Sequence, residues 1–136
     1  MHTVYLGLGT NLGDKQANIL KAIDYIGKLI GAVERQSAFY ETEPWGFESA
    51  HTFVNAAVCV VTALSPRELL HATQHIERDM GRTQKSSDGH YHDRIIDIDI
   101  LLYDDLKVCE PDLIIPHPLM QERDFVMVPL REIMKD

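Results

Sequence analysis

The chain has 136 residues and carries a formal net charge of −8 at pH 7. This length suits one domain with one hydrophobic core, so we expect a single domain over residues 1–136. The acidic balance argues against nucleic-acid binding, which needs a basic surface. No apolar stretch approaches the roughly 20 residues that span a bilayer, and the N-terminus lacks the features of a signal peptide. We therefore expect a cytoplasmic protein that does not bind membranes.

The first elements are a strand, a glycine-rich turn and a helix. Residues 3–9 alternate in the manner of a strand, and a turn cluster leads from them to Asp14. A glycine-rich turn after a strand can bind phosphate, but neither GxGxxG nor Gly-Lys-Ser/Thr is present. The simpler interpretation is a tight turn into a helix over residues 14–30, capped near Asp14 and ended by Gly31.

Two further strands follow, with a loop between them. We predict these strands over residues 33–42 and 53–62, and the loop contains Trp45 and Phe47. The two aromatic side chains either cap the core or form a stacking wall for a flat ligand. Asn55 lies in the second of these strands, which is largely apolar. Because a buried amide needs partners, Asn55 bonds either to backbone groups or to the edge of a polar heterocycle.

The next helix has a strong start signal. Ser65, Pro66 and Glu68 occupy the N-cap, N1 and N3 positions of a capping box. The apolar stripe of this helix runs to Gly81, which ends it. Glu77 lies at the edge of the stripe. It either points to solvent, as most glutamates do, or faces a neighbouring strand.

A polar stretch of about 12 residues comes next, and a structureless segment of that length is usually functional or disordered. Three basic residues occur within it or directly after it, namely Arg82, Lys85 and Arg94. They are the local positive charge that an acidic protein would need to bind a polyanion. His90 and His92 could suggest zinc, but the signal is weak without a Cys or His cluster nearby.

The most informative segment is residues 94–103, where aliphatic side chains alternate with carboxylates at period two. The pattern predicts a strand in which Asp97 and Asp99 share one face, with Cα atoms roughly 6.5–7 Å apart. One or two hard divalent ions such as Mg²⁺ would offset their repulsion. A strand with one solvated face is the alternative, although Asp has a low strand propensity. The opposite face is predicted to hold Ile96, Ile98, Ile100 and Leu102.

The C-terminal part contains a short apolar segment, residues 113–118, and a last helix over residues 126–134 with Pro129 near its first turn. The element order is then βαββαβ, the ferredoxin-like arrangement. We predict an α+β fold with an antiparallel sheet, helices packed on one face, and the other face left for loops and ligands. Cys59 lies in an apolar strand pattern and Cys109 in a loop-like stretch, so no disulfide framework is expected.

Several ordered segments across nearly the whole chain resemble one family, the 6-hydroxymethyl-7,8-dihydropterin pyrophosphokinases of the folate pathway. The resemblance implies transfer of the terminal diphosphate of ATP to the hydroxymethyl group of a reduced pterin, giving AMP, with two Mg²⁺ ions. The segments are Gly7-Leu-Gly-Thr-Asn-Leu-Gly13, Phe39-Tyr-Glu-Thr-Glu-Pro-Trp-Gly46, Phe53-Val-Asn-Ala-Ala-Val58, Gln74-His-Ile-Glu-Arg-Asp-Met-Gly-Arg82, Arg94-Ile-Ile-Asp-Ile-Asp-Ile-Leu-Leu102, and Ile115-Pro-His-Pro118 followed by Arg123.

The resemblance also implies roles for individual residues. Asp97 and Asp99 would hold the two Mg²⁺ ions around the triphosphate, and Arg82 and Arg94 would join them as catalytic residues that contact phosphates. The nucleotide side would consist of Gln74, Glu77, Arg82, Lys85, Arg94, Ile100, His117 and Arg123. The pterin side would consist of Thr42, Glu43, Trp45, Phe53, Asn55 and Phe125.

The polar loop departs from the family pattern. Tyr91-His92-Asp93 stands where the family often has Trp-Gly-Pro, and Gln84 stands where a second basic residue is common. Two other functions stay open on these residues. One is a two-metal nucleotide hydrolase built on the same Asp pair, and the other is a ferredoxin-like module that binds a pterin or nucleotide without turnover. ATP and the hydroxymethyl pterin are the expected partners, and we expect a monomer.

Overall fold

The protein is described here by a computed structural model, which covers residues 1–42, 52–81 and 95–134 apart from the side chain of Thr42. These residues form a five-stranded sheet, a two-stranded hairpin and three α-helices. The strands are β1 (His2–Thr10), β2 (Gly31–Gln36), β3 (Tyr40–Thr42), β4 (Phe53–Thr62), β5 (Asp97–Tyr103), β6 (Val108–Glu110) and β7 (Leu113–Ile115). The helices are α1 (Lys15–Leu29), α2 (Pro66–Asp79) and α3 (Asp124–Ile133), with a 3₁₀ turn at Met120–Glu122.

The larger sheet is antiparallel and has the strand order β2-β4-β1-β5, with β3 pairing to β4 beyond the end of β2. This order, with α1 and α2 as the two crossover helices, confirms the predicted α+β ferredoxin-like fold. The third predicted strand coincides with β4, residue for residue. β1 and β4 lie at the centre of the sheet, so both have paired neighbours on each side.

Strand alternation separates the two faces of the sheet. Side chains such as Leu6 and Val58 point to the face covered by α1 and α2, where they are fully buried. The helices contribute the facing layer, including Ile19, Ile26 and Ile76. Burial of such aliphatic side chains is the main stabilising contribution to a domain of this size.

Both crossover helices begin where the sequence predicts. The Asp14 side chain accepts a hydrogen bond from the Ala17 N–H at 3.1 Å, which caps α1. At the start of α2 the Ser65 hydroxyl accepts from the Glu68 N–H, and the Glu68 carboxylate accepts from the Ser65 N–H, which completes the predicted capping box. Hydrogen bonding to Ser65 at the α2 cap, above all from the Ser65 N–H, lowers the pKa of Glu68 below its ordinary value.

The last helix does not lie where we predicted. α3 packs on the second face of the sheet, where Ile133 contacts Ala57 and Cys59. Helices therefore cover one face fully and the other in part. α3 also begins two residues earlier than predicted, which places Pro129 beyond the first turn. The start of α3 has no capping signal in the sequence, because Arg123, at the N-cap position, makes no side-chain capping bond.

The prediction for Leu102 is wrong, because a β-bulge interrupts the alternation of β5. Tyr5 pairs with Leu102 whereas Leu6 pairs with Ile100, so one residue of β5 is inserted between the two pairs. An inserted residue shifts every later side chain to the opposite face. Leu102 accordingly packs beside Leu101 and α3, while Tyr103 joins the main core.

Three boundaries also differ from the predictions. The second predicted strand is divided into β2 and β3, and Gly31 begins β2 instead of only ending α1. Cys109 lies in the short strand β6, and both cysteines are free thiols, as expected.

Among the described residues, no helix combines the length and the apolar character needed to cross a bilayer.

Candidate active site

The paired carboxylates lie beside a stretch of β1 that has only glycines on the same face. In the register between β5 and β1, Asp97 is opposite Gly9 and Asp99 is opposite Gly7. Directly opposite residues in an antiparallel pair share a face. Gly7 and Gly9 give β1 no side chains of its own here, so Leu101 packs over Gly7, and Asn55 and Phe53 lie over Gly9. We call this stretch of β1, bordered on one side by the two carboxylates, the open strand. Both Asp side chains are partly exposed, and 35% of the Asp99 side chain is accessible.

Asn55 borders the other side of the open strand. It pairs with Gly9 across β1 and β4, so Asn55, Gly9 and Asp97 form one row across three strands. A Cβ atom added at Gly9 would lie 3.1 Å from the Asn55 Oδ1 and 3.8 Å from Phe53 Cδ1. Glycine at this position is therefore what lets the Asn55 amide and the Phe53 ring lie so close to β1. Asn55 is 6% exposed, which satisfies the prediction that it is largely buried.

Glu77 takes the less common of its two predicted positions. Its side chain is 7% exposed, and its Oε2 accepts a hydrogen bond from the Ile98 N–H at 2.8 Å. β5 is the last strand in the sheet order of the described residues, so one row of its backbone groups pairs with no other described strand. Glu77 satisfies one of these groups at the residue between Asp97 and Asp99. The contact fixes the strand segment from which both carboxylates project.

His117 and Arg123 lie on the other side of the Asp pair. The His117 Nε2 is 4.0 Å from the Asp99 Oδ1, and the His117 N–H donates to the Leu101 carbonyl at 3.1 Å. Burial lowers the pKa of His117 below 6.5, and the positive charge of Arg123 lowers it further, whereas Asp97 opposes the shift. His117 is therefore neutral at pH 7. The Arg123 Cζ lies 5.7 Å from the centre of the Phe125 ring.

A cavity of about 290 Å³ opens between α2, β5 and the hairpin of β6 and β7. Its walls are mainly aliphatic or proline side chains, and its polar groups include Thr73, Asp99, Asp112 and His117. A mainly apolar cavity with a few polar groups suits a flat heterocycle that carries polar or charged substituents. The apolar lining residues are Leu70, Ile98, Ile100, Pro111, Leu113, Ile114 and Pro118.

The structure brings together most of the predicted site residues that it describes. Asp97, Asp99, Ile100 and His117 meet at the cavity or its edge, and Asn55 and Phe53 border the open strand. Gln74 is exposed on α2, one residue after the cavity-lining Thr73. Thr42 ends β3 opposite Phe53, and its side chain is not described. Five predicted residues lie outside the described residues, namely Glu43, Trp45, Arg82, Lys85 and Arg94.

Several cavity residues have no counterpart in the sequence prediction. Leu70, Thr73 and Ile98 belong to the core stripe of an amphipathic helix or to an alternating strand, so nothing in the local pattern separates them from ordinary core residues. Asp112 and Leu113 come from a hairpin whose position depends on a distant contact. Arg67, on α2, donates to the Asp112 Oδ2 at 2.7 Å and also pairs with Glu110.

The donor set fits a magnesium site completed by a ligand. Within the described ranges, no group of three or more His, Cys, Asp or Glu side chains is arranged to hold a metal. Two adjacent carboxylates remain, and Mg²⁺ is usually bound by one or two carboxylates together with substrate phosphates and water. An all-protein zinc site, which needs three or four N or S ligands, does not fit Asp97 and Asp99.

Paired carboxylates beside a cavity suited to a nucleotide, on a ferredoxin-like sheet, define a class of protein. That class is the phosphoryl-transfer enzymes, and the comparisons with known families and relatives show that the chain belongs to it. The model of the family "7,8-dihydro-6-hydroxymethylpterin-pyrophosphokinase (HPPK)" matches residues 5–135. The chain therefore belongs to the HPPK family.

Individual relatives agree with this assignment. The chain is 52% identical to the 2-amino-4-hydroxy-6-hydroxymethyldihydropteridine pyrophosphokinase of Porphyromonas gingivalis, over 98% of this chain and 91% of the relative. It is 43% identical to the enzyme of the same name from Aquifex aeolicus, over 98% of this chain and 81% of the relative.

Solved structures agree on the fold. A crystal structure of Plasmodium falciparum HPPK-DHPS superposes with a TM-score of 0.75 at 18% identity, over 98% of this chain and 40% of that one. Another HPPK-DHPS, solved in complex with substrates, gives a TM-score of 0.76 at 16% identity, over 97% and 40% of the two chains. The chain thus spans about 40% of the length of these longer proteins.

Proposed function

We propose that this chain transfers the diphosphate of ATP to the hydroxymethyl group of 6-hydroxymethyl-7,8-dihydropterin, giving AMP and the pterin diphosphate, with Asp97 and Asp99 as ligands of two Mg²⁺ ions. Membership of the family makes it an ATP-dependent pyrophosphokinase of folate biosynthesis. The observation that carries the residue assignment is the position of the two carboxylates. They lie between the cavity and the open strand, where two substrates can meet.

In this proposal the first role of Asp97 and Asp99 is to bind the metal ions that neutralise the phosphate charge. When bound, Mg²⁺ supplies charge neutralisation and alignment of the phosphates. Asp97 and Asp99 hold it at the boundary between the two substrates, and Glu77 keeps the backbone between them fixed through the Ile98 N–H. His117 is neutral at pH 7, so it can donate or accept a hydrogen bond at the phosphates without adding a positive charge beside Mg²⁺.

The cavity is the nucleotide side in this proposal. Its apolar walls, including Ile100, would contact the adenine ring, while the end bordered by Asp99 and His117 would receive the phosphates. Arg123 supplies positive charge near this end. Gln74 and Glu77 would flank the nucleotide from α2, and Arg82, Lys85 and Arg94, which lie outside the described residues, would contact the phosphates as the family resemblance implies.

The open strand is the pterin side. An amide both donates and accepts hydrogen bonds, so Asn55 can pair with the edge of the pterin ring. Phe53 and Phe125 offer aromatic faces, and stacking on such faces suits a flat ring. Thr42, Glu43 and Trp45 would complete this side from β3 and the segment that follows it. The hydroxymethyl group would then point to the Asp97 end of the row that runs from Asn55 through Gly9.

An assay of AMP formation from ATP tests the proposal. We expect AMP to form with Mg²⁺ when the hydroxymethyl pterin is present, and the pterin diphosphate to appear in equal amount. AMP and pyrophosphate, or ADP, formed at the same rate without pterin would identify a nucleotide hydrolase instead. Saturable pterin or ATP binding without any turnover would identify a binding module.

Trp45 is the only tryptophan in the chain, so its fluorescence should change saturably with pterin.

Three broader properties belong to the same proposal. We infer that residues 1–136 form one domain, which the family match over residues 5–135 supports. We also infer a cytoplasmic location, since both cysteines are free thiols, as is usual in a reducing compartment. The protein is proposed to act as a monomer, which light scattering of the purified enzyme would test.

A further inference from the structure

Two separate segments border the proposed pterin side. One is β3, whose last residue, Thr42, pairs with Phe53. The other is the start of α3, where the Arg123 Cζ lies over the Phe125 ring. These segments are about 80 residues apart in the chain, a separation that follows from their residue numbers. Sequence neighbours alone cannot set their relative position.

Glu132, near the end of α3, contacts the start of β3 with both of its carboxylate oxygens. The Oε1 accepts a hydrogen bond from the Tyr40 hydroxyl, and the Oε2 accepts from the Ala38 N–H at 2.9 Å. We call Tyr40, Ala38 and Glu132 the clasp. Bonds to a charged acceptor are about twice as strong as neutral ones. The bond to Glu132 also raises the pKa of Tyr40, so the phenol stays a donor at neutral pH.

β3 has a particular need for such a contact. It contains three residues and pairs only with β4 among the described strands. Short edge strands are weakly held because few ladder bonds fix them. The clasp adds two hydrogen bonds at the point where β3 begins.

α3 carries the position of the clasp to the pterin side. The helix has ten residues and is therefore about 15 Å long. Val126 and Leu130 pack against Leu101 and Met120, and Ile133 packs against the central strand β4. A helix packed along this length moves as a unit. Displacement of its C-terminal end from β3 therefore changes the position of Phe125, two turns away from Glu132.

We propose that Glu132 and Tyr40 are positioning residues for pterin binding, which act by fixing the start of α3 relative to β3. This inference rests on the proposed function, because it takes Phe125 and Phe53 to belong to the pterin side. Neither residue touches the reacting atoms in this proposal. Neither is among the residues that line the nucleotide cavity.

The test compares Glu132→Gln, Tyr40→Phe and the double variant with the wild type. Calorimetry gives the Kd of 6-hydroxymethylpterin in the presence of Mg²⁺ and a non-hydrolysable ATP analogue, and separately the Kd of that ATP analogue. We expect each single variant to weaken pterin binding by about three- to tenfold, the effect of losing one charge-assisted bond at a partly exposed site. The double variant should be no weaker than the worse single variant. ATP-analogue binding should change less than about twofold.

The variants should fold, because Glu132 is exposed and the end of α3 has a second attachment. Arg35 donates from its Nε to the Ile133 carbonyl at 2.8 Å and from Nη2 to the Tyr5 hydroxyl at 3.2 Å. Arg131→Ala is the matched control, since Arg131 is the exposed neighbour of Glu132 on the same helix. It should leave both affinities unchanged.

Three results would overturn the inference. Pterin affinity unchanged in Glu132→Gln and Tyr40→Phe would show that the clasp does not position the site. Pterin and ATP affinities that fall together with the melting temperature would show that the clasp only stabilises the fold, and additive losses in the double variant would show two independent effects. If the wild type itself does not bind pterin, the proposed function has failed, which separates that outcome from failure of the clasp.

Discussion

The two faces of the sheet are built from the same strands and have opposite properties. The face covered by α1 and α2 is closed by aliphatic side chains, and Leu6, Val58 and Ile98 all belong to it. The second face holds the carboxylates of Asp97 and Asp99, the amide of Asn55 and two glycines, and α3 covers it in part. Because alternate residues of one strand serve the two faces, carboxylates and core side chains alternate along β5, where Ile98 and Ile100 also line the cavity at the edge of the sheet.

This separation has a physical reason. Carboxylates and an amide on the covered face would be buried without enough partners, at a cost of several kcal/mol for a charged group. On the second face the two carboxylates are partly exposed, so they keep access to water and to ligands. The rigid covered face then serves as the support from which the functional groups project, since packed interiors resist displacement.

The largest contrast is expected on the second face. Asp97→Ala or Asp99→Ala should lower kcat/KM by at least about 10³-fold, because several kcal/mol of charge stabilisation depends on the bound ion. The free energy of unfolding should stay the same or rise slightly, since one of two neighbouring like charges is removed. Steady-state kinetics at saturating Mg²⁺ and a chemical denaturation curve measure the two quantities. Near-normal turnover in either variant would contradict the metal assignment.

The covered face should respond in the reverse way. Leu6→Ala, at a fully buried position, should reduce the free energy of unfolding by about 2–5 kcal/mol, from lost burial and the remaining cavity. The folded fraction should keep its kcat, because Leu6 does not border the carboxylates. Urea denaturation with activity normalised to folded protein makes this measurement. A loss of kcat as large as that of Asp97→Ala would mean that the two faces are not independent.

Gly9→Ala examines how close the second face lies to its ligand groups. The added Cβ would lie 3.1 Å from the Asn55 Oδ1, so the amide has to move by a few tenths of an ångström. We expect the Kd of the pterin to rise by about tenfold while that of ATP changes little, equivalent to about one hydrogen bond lost. Calorimetry with each ligand gives the two constants.

Gly27→Ala is the control for that substitution. Gly27 is exposed in α1, and no atom lies within 4 Å of an added Cβ. Alanine in a helix should stabilise the protein by about 0.5–1 kcal/mol without any effect on ligand binding. If pterin binding were also weaker in Gly27→Ala, the effect of Gly9→Ala could not be assigned to a local displacement of Asn55.

The smallest effect is expected at the end of β5, away from both faces. Asp104 accepts from the Thr3 N–H at 2.7 Å and lies 2.7 Å from the His2 Nδ1. These bonds lower the pKa of Asp104 below 3.8, the backbone bond having the larger effect. A carboxyl group with a lowered pKa adds stability above its unfolded pKa and loses it as the pH falls through the folded value. The loss should therefore occur below pH 3.8.

Asp104→Asn tests this assignment. Asparagine tolerates the positive φ of 47° at this position as aspartate does. We expect the variant to be less stable by about 0.5–1 kcal/mol at pH 7, a small value because the pair is over one-third exposed. The difference should shrink as the pH falls below 3.8. A constant difference across that range, or an equal effect from the exposed neighbour Asp105→Asn, would contradict it.

The sequence by itself determined those features that depend on neighbouring residues. Asp14 and the Ser65–Glu68 pair cap helices because a cap needs only the next three residues. The bounds of β4 follow from its continuous apolar run. The shared face of Asp97 and Asp99 follows from the period of a strand. The family resemblance, carried by ordered motifs, also came from the sequence and is confirmed by the match over residues 5–135.

Only the tertiary structure decided the features that depend on distant partners. The β5 bulge, which moves Leu102 to the second face, arises from pairing with β1 and has no signal in an uninterrupted apolar strand. Glu77 is buried because an edge strand offers it the Ile98 N–H, a partner 21 residues away. α3 packs on the second face because Leu101 and Ala57 form an apolar surface there once the strands are paired. Contacts of this kind are set by the assembled sheet, since local periodicity records which side chains share a face and not what will cover it.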